Sequence, residues 1–158
     1  MKILLPVDGS ELSLHEARFA LRLVREGLQA SFLLVNVQEP ASLYEMVQAP
    51  DPAILASVSQ GAGEHALQPA LTLLREAGMS CDTAVVTGDP AHAVVDLIEE
   101  HACDMVIMGA GGTGALLSAL LGSVTQSLLR DSPVPVLLVK PPAQEEAEAA
   151  APAASDTA

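Results

Sequence analysis

Residues 108–123, MGAGGTGALLSALLGS, hold five of the chain's eleven glycines and no charged side chain, although the formal net charge of the whole is −13. Backbone amides approach an anion most closely where no Cβ intervenes, and the first amides of a helix have no intrahelical partner. Gly109, Gly111, Gly112 and Gly114 therefore have the types and spacing for the first turn of an anion cradle. Ser123, behind Gly122, adds a hydroxyl and further amides at the start of the final helix. The chemistry on offer is a non-covalent hold on phosphate oxygens. The same composition suits an ordinary tight turn after a strand, so glycine alone leaves both readings open. No Gly-Lys-Ser/Thr follows, which sets the run apart from a Walker A loop.

Turnover asks for more than a hold: a base for water or a positioned nucleophile, and a cation for the developing charge. The four histidines, His15, His65, His92 and His101, fall on helical segments away from the strand ends. Neither Ser10 nor Ser123 has a histidine in a triad-like context. Cys81 and Cys103 lie beside strand-like runs, with no metal-ligand spacing to a second Cys or His, and read as reduced, half-buried small residues.

Five strand-like runs frame these residues: KILLPV (2–7), ASFLLVNV (30–37), CDTAVV (81–86), DMVIM (104–108) and VPVLLV (134–139). Several are continuous apolar runs, the pattern of strands covered by helices on both faces of a parallel sheet. Between the first two, SELSLHEARFALRLVREG repeats apolar residues at helical spacing, with Ser10 to cap its start and Gly27 its end. The second crossover reads as a loop with one helical turn (38–52), then a helix over 53–78 that Gly61, Gly63 and Pro69 break into two pieces or kink. Asp89 with Pro90 opens the third helix, and the last runs from about Ser123 to Arg130. The alternation predicts a single doubly wound α/β domain. With three strands running outward and the fourth returning beside the first, the order of the five-stranded parallel sheet is 3-2-1-4-5. The ligand crevice of such a sheet lies where the order reverses, between the ends of strands 1 and 4, which carry PVDGS and GAGG.

Half of the 158 residues are apolar and 2% aromatic, so Leu, Val, Ile and Ala must build the core of one domain. Seven Lys and Arg against twenty Asp and Glu, with a pI near 4.4, argue against nucleic acid and against an anionic membrane surface. No apolar run approaches the ~20 residues of a spanning helix, and the opening MKILLPVDGS is too short and too soon acidic for a signal peptide. A cytoplasmic protein is expected. After residue 141 the composition turns to Ala, Pro and acid, so 142–158 is expected to be a disordered tail following a domain over 1–141.

Gly109, two residues, Gly112, nine residues, then Gly122-Ser123 resembles the G-x2-G-x9-G-S/T motif of the universal stress protein family. The likeness extends to ILLPVDGSELS as the family's opening strand and turn, LLVNV as its second strand, and GSVTQSLLRDSPVPVLLVK as its closing helix and strand. It covers about residues 1–141, with 39–80 matching only in outline.

This resemblance implies an adenine nucleotide, ATP or else ADP or AMP, in the crevice. It places Asp8, preceded by Pro6 and Val7, by the ribose and phosphates, and the backbone at Val37 by the adenine edge. It sets the phosphates against Gly109, Gly112, Gly122 and Ser123 with the amides of Ala110, Gly111 and Val124. Asp8 also reads as a plain turn or capping carboxylate. Many members carry a basic or hydrogen-bonding side chain inside the first Gly-x-x-Gly; this chain has Ala110-Gly111, and no Lys or Arg between residues 76 and 129. Either Mg²⁺ accompanies the nucleotide near Asp8 or affinity is modest. Family members commonly dimerise through the last strand, so the resemblance implies an antiparallel homodimer with Val134, Val136 and Val139 near the seam. The expected role is a stress-response or signalling module whose nucleotide state changes its contacts with a protein partner not identified by the sequence. Two alternatives stand beside it: a nucleotide-free dimeric interaction protein of the same fold, and a slow ATPase. A related ATP-consuming enzyme is disfavoured, since the first turn reads PVDGS and not Ser-Gly-Gly-x-Asp-Ser.

Overall fold

A computed structural model of the chain describes residues 1–48, 51–110 and 121–142. The glycines at 111, 112 and 114 and the tail from 143 onward lie outside the described residues. Five strands, β1 (Lys2–Pro6), β2 (Ser31–Gln38), β3 (Cys81–Thr87), β4 (Met105–Gly109) and β5 (Val136–Val139), form one sheet of order β3-β2-β1-β4-β5. Every pairing is parallel. The helices are α1 (Glu11–Arg25), α2 (Leu43–Gln48), α3 (Pro52–Glu76), α4 (Pro90–Glu100) and α5 (Ser123–Asp131).

Alternation along the strands divides the core in two. Ile3, Leu5, Phe32, Leu34 and Ile107 pack with Ala17, Leu21, Leu67 and Leu74 of α1 and α3. On the other face Leu4, Leu33, Val35 and Val106 pack with Val94, Leu97 and Ile98 of α4 and Leu128 of α5. Both faces are therefore covered, which is why these strands read as unbroken apolar runs.

The second crossover keeps a short helix, α2, in its loop, but its long helix is not divided into two pieces. α3 runs as one 25-residue helix through Gly61, Gly63 and Pro69. Leu67, Ala70, Leu71 and Leu74 are buried along it, and that packing outweighs the single hydrogen bond Pro69 cannot donate. Its start is fixed by Asp51, whose side chain accepts from Ala53 N at 2.9 Å, with Pro52 at the first helical position.

Candidate functional site

β1 ends at Pro6, and the chain turns through Asp8 and Gly9 into α1. Gly9 sits at φ +82°, where a Cβ would also stand 3.3 Å from Ala66 of α3, so the turn takes glycine. Ser10 caps α1 by accepting from Ser13 N at 3.2 Å. Asp8 Oδ1 accepts from Ser10 N at 2.9 Å and from Ser13 Oγ at 3.1 Å. Burial pushes the Asp8 carboxyl up, but the hydrogen bonds from Ser10 and Ser13 outweigh it and hold the group below its ordinary range. Asp8 is thus an ionised turn carboxylate, and both of those bonds fall on one oxygen.

β2 runs past the end of β1. Ser31 N donates to Met1 O and Val7 N to Val35 O, so the odd residues of β2 turn their main chain toward β1. Val37 continues that row beyond the last β1–β2 pair, Pro6 with Val35, and its N–H and C=O face the space where β1 has stopped. The Val7 carbonyl is taken by the buried Asn36 Nδ2 at 2.8 Å. On the other side of β1, Gly109 closes β4, and Ala110 directs its amide to Val139 O at 2.8 Å. The Ala110 amide is spent on the sheet, and Ala110 is not among the crevice-lining residues. Gly122 precedes α5 at φ −54° and ψ 156°, with no side-chain cap among the described residues, so the first amides of α5 are open to another acceptor.

These ends meet at one crevice of about 420 Å³, within the usual range for small-molecule sites. Pro6, Val7, Asp8 and Val37 line one side of it; Gly109, Gly122, Ser123 and Val124 line another. Gly111 and Gly112 lie outside the described residues. None of the four histidines lines it, and His92 instead pairs with Asp89 at 2.9 Å on the surface. No magnesium site is shown at Asp8: among the described residues no three His, Cys, Asp or Glu side chains converge, and the two hydrogen bonds that Asp8 accepts both fall on Oδ1, so a magnesium there would draw its other ligands from the nucleotide's phosphates and water.

Two buried polar side chains are notable among the lining residues that the sequence reading did not single out. Asn36 and Glu16 are 5% and 4% exposed, and both belong to the crevice wall. Asn36 lies inside an apolar strand, which is a signal for a buried polar role. Glu16 falls in a row with Ser13, Ala17 and Ala20, all buried; a glutamate in a row of small residues at i, i+3 and i+4 spacing is the corresponding signal on a helix. With Asp8 and Glu39, Glu16 makes three acidic side chains along the wall, and no Lys or Arg accompanies them among the lining residues.

A family model described as the universal stress protein family matches residues 1–140. A universal stress protein of Methanocaldococcus jannaschii, MJ0531, is 28% identical over 144 residues, covering 91% of this chain and 84% of that protein. The solved structure of MJ0577, from the same organism, superposes with a TM-score of 0.74 at 26% identity, covering 89% of this chain and 96% of the other. An Arabidopsis thaliana protein of the family, solved with AMP bound, gives a TM-score of 0.67 at 21% identity over 92% of this chain and 94% of that one. Another, solved in complex with cAMP, gives 0.57 at 23% identity over 89% and 96%.

Proposed function

From the premise that this chain belongs to the universal stress protein family, we propose that the crevice binds an adenine nucleotide and that the bound state governs contacts with a protein partner in a cytoplasmic stress response. One observation carries the reading: the uncapped start of α5, behind Gly122, and the outward main-chain edge of Val37 open on the same crevice. The first suits phosphate. The second offers a donor and an acceptor side by side, as an adenine edge requires. Proteins of the same fold have been solved with AMP bound and in complex with cAMP. With no cation among the described lining residues, main-chain amides are the principal phosphate donors, among them those at the start of α5 that follow Gly122. Among the described lining residues there is no His, Lys or Arg, and we take hydrolysis to be at most a slow by-product of binding.

Calorimetric titration with ATP, with and without Mg²⁺, and with AMP tests this. Wild-type protein should bind, and Gly122→Val should bind about tenfold or more weakly, roughly 1.4 kcal/mol. Gly122 has a backbone conformation open to any residue, so the variant should keep its thermal midpoint. No heat from the wild type at millimolar nucleotide would end the proposal and favour the nucleotide-free interaction protein.

The assembly we propose is a homodimer through β5, an edge strand whose Val136, Leu137 and Leu138 are half-buried and carry no charge. Val136→Lys should convert a dimer to a monomer in light scattering. A wild type that is already monomeric at micromolar concentration would refute it.

A further inference from the structure

Glu16 is a carboxyl that nucleotide recognition by main-chain amides leaves unused. It projects from α1 into the crevice wall beside Asp8 and Gly109. Its Oε2 is buried without a hydrogen-bond partner among the described residues. A Cβ on Gly109 would stand 2.6 Å from Glu16 Oε1, so that oxygen is packed against the end of β4 and Oε2 is the one left over. A carboxylate buried without a partner takes up a proton rather than remain charged. Burial pushes Glu16 up to about 8; the Gly109 amide pulls it down, and the Asp8 carboxylate adds to the rise.

We propose that Glu16 stands in the crevice wall as a neutral carboxylic acid whose O–H, closed off from solvent in this structure, turns to the crevice and donates a hydrogen bond to an anionic oxygen of the bound nucleotide. This rests on the nucleotide reading and deepens it by naming a side-chain donor. A wall that holds Asp8 and Glu39 but no cation gains twice from the proton. It carries one negative charge fewer, and it offers a charge-assisted O–H donor to phosphate. Ionisation removes the donor and sets a like charge against the ligand.

The surroundings contain no competing switch among the described residues. Elements packed on α1 are α3, β4, β1 and β5. Glu64 and His65 of α3 are exposed, and β4 and β5 carry no ionisable side chain. Lys2, at the far end of β1, pairs with Asp82 at 3.0 Å. On α1 itself Glu11 and Arg18 are exposed and His15 is half-buried.

Titrating AMP into metal-free wild-type, Glu16→Gln and Glu16→Ala proteins at pH 7 and pH 9 tests the assignment, since the nucleotide phosphate is already ionised across that interval. Wild-type affinity should fall about tenfold between the two, following the ionised fraction of a group titrating at about 8. Glu16→Gln keeps an N–H donor without a titration and should bind almost equally at both. Glu16→Ala should bind weakly at both. Equal pH dependence in wild type and Glu16→Gln would overturn the role of Glu16 and leave the nucleotide reading intact. A wild-type affinity that rises toward pH 9 would also overturn it, because a neutral donor can only be lost with rising pH. A wild type that binds AMP at neither pH would overturn both.

Discussion

Gly63→Ala should destabilise the protein by about 3 kcal/mol, although Gly61→Ala, two residues earlier in the same helix, should stabilise it by about 0.5–1 kcal/mol. Both replace glycine inside α3, where alanine is the better helix former. Their surroundings decide the sign. A Cβ at position 61 meets nothing within 4 Å, whereas one at position 63 would overlap Val85 Cγ1 and stand 3.0 Å from Asn36 Oδ1. Val85 belongs to β3 and has little freedom to retreat. Asn36 is held by its bond to Val7 O and accepts from Gln38 Nε2 at 2.6 Å, so displacing it also breaks a buried polar network beside the crevice. Urea unfolding of the two variants provides the measurement. Equal effects of the same sign would mean that α3 does not approach the sheet at Gly63.

Glu16→Gln should raise stability by a few kcal/mol at pH 8 and by almost nothing at pH 4. The sign follows from which state holds the proton. In the folded protein Glu16 titrates at about 8, against an ordinary value of 4.5 in the unfolded chain. Below 4.5 both states are protonated and the burial carries no ionisation penalty. Between 4.5 and about 8 the folded state binds more protons than the unfolded one, so stability declines as pH rises and levels off above 8. At about 1.36 kcal/mol per unit the full effect is on the order of 5 kcal/mol. Glutamine has no such titration, and the gap between the two unfolding curves should open over that same interval. Parallel curves at every pH would show that Glu16 is ionised in the native state.

The strands and the sheet order were legible because burial on both faces leaves a continuous apolar run, and because a doubly wound sheet has one place where its order reverses. Helix starts were equally plain: Ser10, Asp89 and Pro90 each act at the backbone they belong to. What stayed hidden depends on contacts between distant elements. Gly63 looked like a helix breaker because Val85, its reason, lies 22 positions away. Nothing local to the sequence singles out Glu16, and only the meeting of α1 with the end of β4 makes it a buried acid. The glycine run is ambiguous even as a motif. Gly109, Gly111 and Gly114 also fall at the Gly-x-Gly-x-x-Gly spacing of dinucleotide sites. That fingerprint belongs on the first βα turn, which here is Pro6 to Ser10; the glycines follow β4. Gly109 itself has a structural reason to be small, since a side chain there would run into Leu12 and Glu16 of α1.

The central place of β1 also has a consequence during synthesis. It is made first, pairs with β2 at Ser31 to Val35, and meets its other neighbour only at Met105 and Val106. A ribosome adding about 5–20 residues per second leaves the nascent chain for several seconds with β1, β2 and β3 available and the far side of β1 bare. That side is the main-chain edge at Ile3 and Leu4, which pairs with Met105 and Val106 in the finished sheet, on a strand whose Ile3, Leu4 and Leu5 side chains are fully buried there. Until β4 emerges the growing polypeptide therefore presents an open, apolar strand to its neighbours on the polysome, and this interval is where chaperone capture or pairing between nascent chains would compete with folding.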